Sequence, residues 1–251
     1  MYQRVLFYIL LSLNISSYSQ EVSIAFTKSM APYLITPKES GIEYEIVAET
    51  LKSQGISLAT YKNLHYKRAV KLLAKKQIDI VVSNRDNNLY FQKQVKIYSS
   101  DVTLNYVDCA ISLKKRNLSY DKMEDYSDKT VWAFKSAKEV LGREFKRAVS
   151  SNRNYTENYD QNLMVNMLAK ERVDIVISDK NIFLNLLEKS LGPGKSGLFT
   201  YKKIIPITPR NIKTHNAELK ETFNRGLKQI KENGVYEKIL KKYKNQYDSK
   251  C

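Results

Sequence analysis

The chain has 251 residues and a formal net charge of +16, from 42 lysines and arginines against 26 acidic residues. The basic residues are scattered along predicted helices and are not interleaved with aromatic residues, which argues against a platform for single-stranded nucleic acid. We therefore expect no nucleic-acid partner. The two histidines, His65 and His215, lack metal-ligand spacing, and we expect no metal and no cofactor.

The two cysteines, Cys109 and Cys251, are too few for a disulfide framework. An exported protein could still form one bridge. Cys109 falls in a predicted strand, and we interpret it as a small buried hydrophobic residue.

The N-terminal stretch MYQRVLFYILLSLNISSYS, residues 1–19, has the layout of a secretory signal peptide. It carries a cation at Arg4, an apolar run from Val5 to Leu13, and small residues at Ser17 and Ser19. The apolar run is short for a membrane span. We therefore expect cleavage after Ser19 and a periplasmic mature chain, with an uncleaved N-terminal anchor as the alternative.

Two pairs of segments repeat along the chain. VSIAFTKSM (22–30) resembles TVWAFKSAK (130–138), and LLAKKQIDIVVSNRD (72–86) resembles MLAKERVDIVISDKN (167–181). The first pair indicates short strands, and the second pair indicates a helix end followed by a continuously apolar strand. Such a strand is typical of a parallel sheet buried on both faces, so the repeat predicts two related α/β units.

Polar residues stand at both ends of the repeated apolar strands. In open α/β sheets ligands bind beyond the carboxyl ends of the strands, which points to Asn84 and Arg85 in the first copy and to Asp179 and Lys180 in the second. Asp79 and Asp174 precede the strands, at the end away from a cleft, and we interpret them as structural.

The order of segments predicts how the two units are connected. Residues 99–115 could cross from the first unit to the second, and residues 198–211 could return, so the C-terminal helices would pack on the first unit. We expect lobe one to comprise residues 20–104 plus 205–251, lobe two residues 105–204, and the connection to be a two-strand hinge. The expected state is a monomer.

Three stretches resemble the bacterial extracellular solute-binding proteins of family 3, the receptors of polar amino acid importers. They are APYLITPKESGIEYEIVAETLKSQG (31–55), LLAKKQIDIVVS with the later YSS, and FNRGLKQIKENGVYEKILKKY. The resemblance implies an α/β, two-lobed type II periplasmic binding protein, each lobe a βα sandwich. It also implies a small polar, amino acid-like solute held between the lobes, for import through an ABC permease of the inner membrane or for sensing.

The resemblance also implies roles for single residues. In the family a Thr and an Arg after the first repeated strand clamp the ligand carboxylate, and an Asp after the second takes the ammonium; Asp179 stands at that place. Counting back from YSS puts Gln92 or Phe91 where the arginine would be. Arg85 is the nearest substitute and could offer a bidentate fork, or it could face solvent. Asp179 could instead be the N-cap of the following helix.

The remaining candidates complete the expected ligand-binding set. Tyr33 matches the aromatic wall of the family, and Phe26 and Tyr66 could complete an apolar slot, although aromatic residues are often core. Lys135 and Ser136 follow WAF, where the family has a Gly-Ser/Thr pair that holds the carboxylate. The absent glycine is a departure from that pattern.

The leading hypothesis is a non-catalytic binding protein. One alternative is an enzyme similar to periplasmic cyclohexadienyl dehydratases, with Asp86, Asp179 and Glu157 as its cleft carboxylates and no histidine beside them. A second alternative is an orphan sensory receptor without a transporter.

Overall fold

The computed structural model describes residues 20–27, 30–35, 38–83, 95–243 and 247–251, with backbone alone at residues 60 and 61. The expected signal peptide lies outside this part of the chain, as do Asn84 and Arg85. Within the described ranges, no helix has the length and apolar character needed to cross a membrane.

The strands and helices are numbered in chain order. The strands are β1 (Gln20–Thr27), β2 (Ile56–Leu64), β3 (Ile80–Ser83), β4 (Tyr98–Ser99), β5 (Leu104–Tyr106), β6 (Asp108–Leu113), β7 (Val131–Phe134), β8 (Tyr155–Asn158), β9 (Ile175–Asp179), β10 (Phe199–Lys202) and β11 (Thr208–Thr214). The helices are α1 (Ile42–Lys52), α2 (Tyr66–Ala74), α3 (Ala137–Val140), α4 (Gly142–Ser150), α5 (Gln161–Ala169), α6 (Lys180–Leu191), α7 (Ala217–Glu232) and α8 (Val235–Lys242).

The strands form two separate sheets. The first has the order β2-β1-β3-β11-β4, with β5 also paired to β11, and the second has the order β10-β6-β9-β7-β8. In the first sheet β1 is parallel to β3, and in the second β7 is parallel to β9. These are the repeated segments of the sequence, and every residue of β3 and β9 is buried. The predicted α/β fold with two related units is confirmed.

Asp79 and Asp174 join neighbouring strands at the end away from the cleft. Asp79 Oδ2 accepts hydrogen bonds from the amide and the hydroxyl of Ser23, each at 2.8 Å. Asp174 Oδ2 accepts from the Thr130 amide at 2.8 Å, and its other oxygen pairs with Arg116 at 2.5 Å. The structural interpretation of both aspartates is confirmed.

Two antiparallel segments connect the sheets. One residue separates the end of β5, in the first sheet, from the start of β6, in the second. β11 pairs with β5, so that Thr208 lies opposite Tyr106 and Arg210 opposite Leu104. This pair is the two-strand hinge that the chain order predicts. The exact lobe bounds stay a prediction.

The C-terminal helices pack on α1. Helix α7 begins at the N-cap Asn216, whose side chain accepts from two backbone amides, and its buried face carries apolar residues at helical spacing. Gly226 lies on that face, directly against the Thr50 carbonyl of α1. After α8, the Tyr243 hydroxyl accepts from the Gly41 amide at 2.9 Å and donates to Glu45 at 2.5 Å.

Cys109 and Cys251 form a disulfide, with an S–S distance of 2.09 Å. Cys109 is fully buried, as expected, but it is not an unbonded hydrophobic residue, because its sulfur is joined to Cys251. The last residues fold back onto β6 and bring the two Cα atoms to 5.8 Å, within the normal disulfide range. The cysteines are 142 positions apart, and no local sequence pattern predicts such a contact.

Gly226→Ala should destabilise the fold, because its methyl group would overlap the Thr50 carbonyl and push α7 away from α1. We expect a loss of about 1–3 kcal/mol in the free energy of unfolding, measured by urea titration. The matched control is Gly197→Ala, whose added carbon meets nothing within 4 Å. Equal stability of both variants and the wild type would contradict the close helix contact.

Candidate functional site

A cleft of about 420 Å³ lies between the two sheets, with the hinge at its base. Its lining comprises Thr27, Met30, Asn63, Leu64, His65 and Tyr66 from the first-sheet side, Tyr106, Asp108 and Arg210 from the hinge region, and Phe134, Lys135, Ser136, Val140, Asn158, Tyr159, Gln161, Asp179 and Ile182 from the second-sheet side. This volume suits a small-molecule ligand that contacts both lobes.

A buried ion pair anchors the base of the cleft. Arg210 in β11 is 2 % exposed and meets Glu43 of α1 in bidentate geometry, with Nε–Oε1 at 2.5 Å and Nη2–Oε2 at 2.8 Å. Burial alone would lower the pKa of Arg210, but the Glu43 carboxylate outweighs that effect and raises it. The guanidinium also lies 4.8 Å above the Tyr106 ring. The positive charge of Arg210 is thus neutralised by Glu43 within the protein.

Tyr33 packs behind the residues that line the base of the cleft. Its ring stacks on Tyr106 at 4.1 Å, and its hydroxyl donates to Asp179 Oδ2 at 2.9 Å while accepting from Asn181 Nδ2. Tyr33 is fully buried and does not belong to the cleft lining formed by the described residues. Its contacts link the first lobe to the second rather than exposing an aromatic surface to the cleft.

Asp179 ends β9 and is the N-cap of α6. Its Oδ1 accepts from the Ile182 amide at 2.9 Å, and its Oδ2 accepts from the Val107 amide at 2.8 Å as well as from Tyr33. The structural role that the sequence left open is therefore present, and the carboxyl also lines the cleft. Burial raises the pKa of Asp179 to about 6, against the lowering effect of these hydrogen bonds.

Asp108 lies directly opposite Asp179 in the antiparallel pair of β6 and β9. It is 4 % exposed, lines the cleft, and accepts a hydrogen bond from the Thr208 hydroxyl at 2.6 Å. Burial, and then the charge of Asp179, raise the pKa of Asp108 to about 7. Among the described residues neither aspartate has a partner in an ion pair, so the base of the cleft is acidic.

Sequence reasoning did not select Asp108. The residue belongs to no motif, and only the pairing of β6 with β9 places it beside Asp179. One sequence feature could have pointed to it: an aspartate begins a mostly apolar strand in the crossing segment. Charged residues are rarely buried unless they have a partner or a function.

Three other predicted residues line the cleft. Tyr66 does so from the first residue of α2, and Lys135 and Ser136 do so from the loop after β7. The Ser136 amide donates to Glu157 Oε2 at 2.8 Å, and Lys135 Nζ lies 4.0 Å from the same oxygen. Glu157 therefore already occupies the loop amide where the resemblance places a ligand carboxylate.

The other predicted residues do not reach the described cleft. Phe26 is fully buried in β1, 6.0 Å from the Tyr44 ring, and is absent from the lining that the described residues form. Asn84 and Arg85 lie outside the described residues. The described part of the chain also contains no group of three or more His, Cys, Asp or Glu residues that could hold a metal ion.

The sequence profile of the bacterial extracellular solute-binding proteins, family 3, matches residues 22–246. The chain belongs to this family. No curated protein matches the sequence. The family assignment and the two-sheet architecture identify the chain as a solute-binding protein with the type II periplasmic binding fold, as predicted.

Solved structures share the fold of this family 3 protein. The ligand-binding core of GluR0 with L-glutamate has a TM-score of 0.71 and 12% identity, over 90% of this chain and 99% of that chain. An ancestral arginine-binding protein bound to arginine has a TM-score of 0.67 and 20% identity, over 91% and 98%. ArtJ of Geobacillus stearothermophilus, an arginine-, lysine-, histidine-binding protein, has a TM-score of 0.67 and 18% identity, over 92% and 97%.

Arg210→Met should destabilise the protein by about 3–5 kcal/mol, because it leaves the Glu43 carboxylate buried without its cation. Arg210→Met combined with Glu43→Met should lose less, since no charge then remains unpaired. Urea unfolding of both singles and the double variant measures the coupling. The control is Lys228→Ala, which removes an exposed ion pair with Glu232 and should change stability little. Additive losses would contradict the pairing.

The acidic pair makes stability depend on pH. The folded pKa values of Asp108 and Asp179 lie above the ordinary aspartate value, so the folded chain binds more protons than the unfolded chain. The free energy of unfolding should therefore fall as pH rises from about 4 to about 7.

Asp108→Asn should flatten this fall in the free energy of unfolding, measured by urea titration at several pH values. Thr208→Val should extend the fall to higher pH, because the Thr208 hydrogen bond lowers the pKa of Asp108. An unchanged slope in Asp108→Asn would show that another group controls the pH dependence.

Proposed function

We propose that this solute-binding protein captures a small amino acid-like solute through a cationic group of the solute, placed at Asp108 and Asp179. The observation that carries the proposal is this pair of buried carboxyls, which face the cleft without an ion-pair partner among the described residues. Two adjacent buried carboxylates repel each other and are poorly solvated, and a cation between them relieves both costs.

The likeness to known receptors supports this chemistry. Asp179 stands where the resemblance implies an ammonium contact, and Asp108 adds a second carboxyl beside it. Solved structures of the same fold were determined with arginine and with L-glutamate. An amino acid-like ligand with an ammonium group is consistent with both the fold and the acidic base of the cleft.

The acid group of the ligand requires a different contact, since the Arg210 charge is paired with Glu43. We assign that contact to Arg85 and Asn84, which follow β3 directly, with Lys135 as a second cation on the cleft wall. Tyr66 would form an apolar side of the site. Tyr33 and Phe26, which lie behind the cleft lining, would support the position of the lining residues. The Ser136 amide would hold Glu157 in place.

The proposal places a monomeric mature chain in the periplasm after cleavage of residues 1–19, with lobes at residues 20–104 plus 205–251 and 105–204. Delivery to an ABC permease of the inner membrane or sensing would follow capture. The extracellular solute-binding family supports an exported location.

A dehydratase-like enzyme is the second candidate function, and one observation favours it. Asp108 has a pKa of about 7 and lines the cleft, which are properties of a general acid. Turnover of prephenate by the purified mature protein, lost in Asp108→Asn, would establish this alternative in place of simple capture.

A thermal-shift screen of amino acids, polyamines and organic acids against the mature protein tests the proposal. A ligand at 100 times its dissociation constant should add about 2.7 kcal/mol to stability. We expect solutes with an ammonium group to give the largest shifts. If organic acids without a cationic group gave the largest shifts instead, the assigned chemistry would be wrong.

Calorimetric titration of variants with the best ligand then tests the residues. Asp179→Ala and Arg85→Ala should each weaken binding at least tenfold, as losing one member of a desolvated charge pair costs about 2–5 kcal/mol. Asp179→Asn removes the charge and keeps an acceptor for the Ile182 amide. Its Nδ2 cannot accept from the Val107 amide or the Tyr33 hydroxyl, so urea unfolding of this variant accompanies the titration. The control is Asp174→Ala, which should lower stability more than affinity. Wild-type affinity in the Asp179 and Arg85 variants would place the site elsewhere.

A further inference from the structure

The C-terminal tail, residues 247–251, passes from the first lobe to the second. The chain before it is held on the first lobe, where the Tyr243 hydroxyl contacts Gly41 and Glu45. Tyr247 then packs edge-on against Tyr33, with ring centroids 6.5 Å apart. The later residues of the tail contact the second lobe.

Polar contacts fasten the tail to the start of α6. Asp248 accepts from Lys180 Nζ at 2.6 Å, and the same ammonium donates to the Lys250 carbonyl at 2.8 Å. Asn181 pairs with the Asp248 backbone in both directions: its Nδ2 donates to the carbonyl at 3.0 Å, and its Oδ1 accepts from the amide at 2.6 Å. The Asn181 side chain is buried, which partly shields these bonds from water.

The disulfide makes this attachment covalent. Cys251 is bonded to Cys109 of β6, the residue next to Asp108 at the base of the cleft. The second lobe is thus joined to the first by the two hinge strands and by the tail. Neither the tail nor Cys109 contributes to the cleft lining within the described chain, so this attachment is separate from ligand contact.

We propose that the disulfide-anchored tail is a third connection between the lobes and that it restrains bending at the β5–β11 hinge. Hinge motions concentrate in a few backbone residues of the connecting segments, and an attachment outside those segments opposes rotations that the two strands alone allow.

The covalent bond and the polar contacts restrain different amplitudes of motion. The eight residues after Tyr243 could span roughly 29 Å if fully extended, so the disulfide by itself limits only a wide opening. The contacts of Tyr247 and Asp248 hold the tail against both lobes and limit smaller motions. Cutting the disulfide frees the end of the tail and weakens both restraints.

The experiment measures the distance between the lobes in the full mature chain without any ligand, so its outcome is independent of the proposed function. Spin labels are introduced by a chemistry that does not use cysteine, at the exposed positions Lys52 on α1 and Arg143 on α4. Pulsed electron–electron resonance then gives the distance distribution. In Cys251→Ser we expect a broader distribution that extends to longer distances, and in Asp248→Ala, which keeps the disulfide, a smaller broadening.

A matched control separates hinge restraint from general loss of stability. Val131→Ala creates a cavity in the core of the second lobe, away from the tail and outside both labelled helices, and should lower stability while leaving the distribution unchanged. Circular dichroism confirms that each variant is folded. A wild-type distribution in Cys251→Ser, or equal broadening in Val131→Ala, would overturn the proposal.

Discussion

The rest of the structure depends on the buried charge of Arg210. A guanidinium cannot lose its proton in a protein, so burying it requires a carboxylate in register, and Glu43 supplies one from the first turn of α1. Gly41 makes this possible just before α1, with a positive φ of 117° and no room for a side chain against the Tyr33 backbone. The hinge strand β11 is thereby locked to a helix of the first lobe.

This pairing affects the charge at the base of the cleft. Because Glu43 neutralises Arg210, the cation at the hinge is not available to balance Asp108 and Asp179, and their burial raises both pKa values. The same strand pairing that aligns β6 with β9 brings the two carboxyls together. The acidic character of the base therefore follows from the architecture of the hinge.

Asp179 also connects the lining of the cleft with the hinge. Its carboxylate joins the start of α6, the Val107 amide in the crossing segment and the Tyr33 hydroxyl of the first lobe. The tail packs against Tyr33 through Tyr247 and holds α6 through Asp248, so cleft, hinge and tail share neighbouring contacts.

The sequence by itself determined the kind of elements and their order. The continuous apolar runs of β3 and β9, the repeated helix ends before them, and the aspartates at positions 79 and 174 could be predicted, because periodicity and end residues are local properties. Only the tertiary structure decided which distant residues meet. Arg210 and Glu43 are 167 positions apart, Tyr33 and Asp179 146, and Cys109 and Cys251 142. Such partners are selected by the packing of the two lobes, for which a single sequence carries no periodic signal.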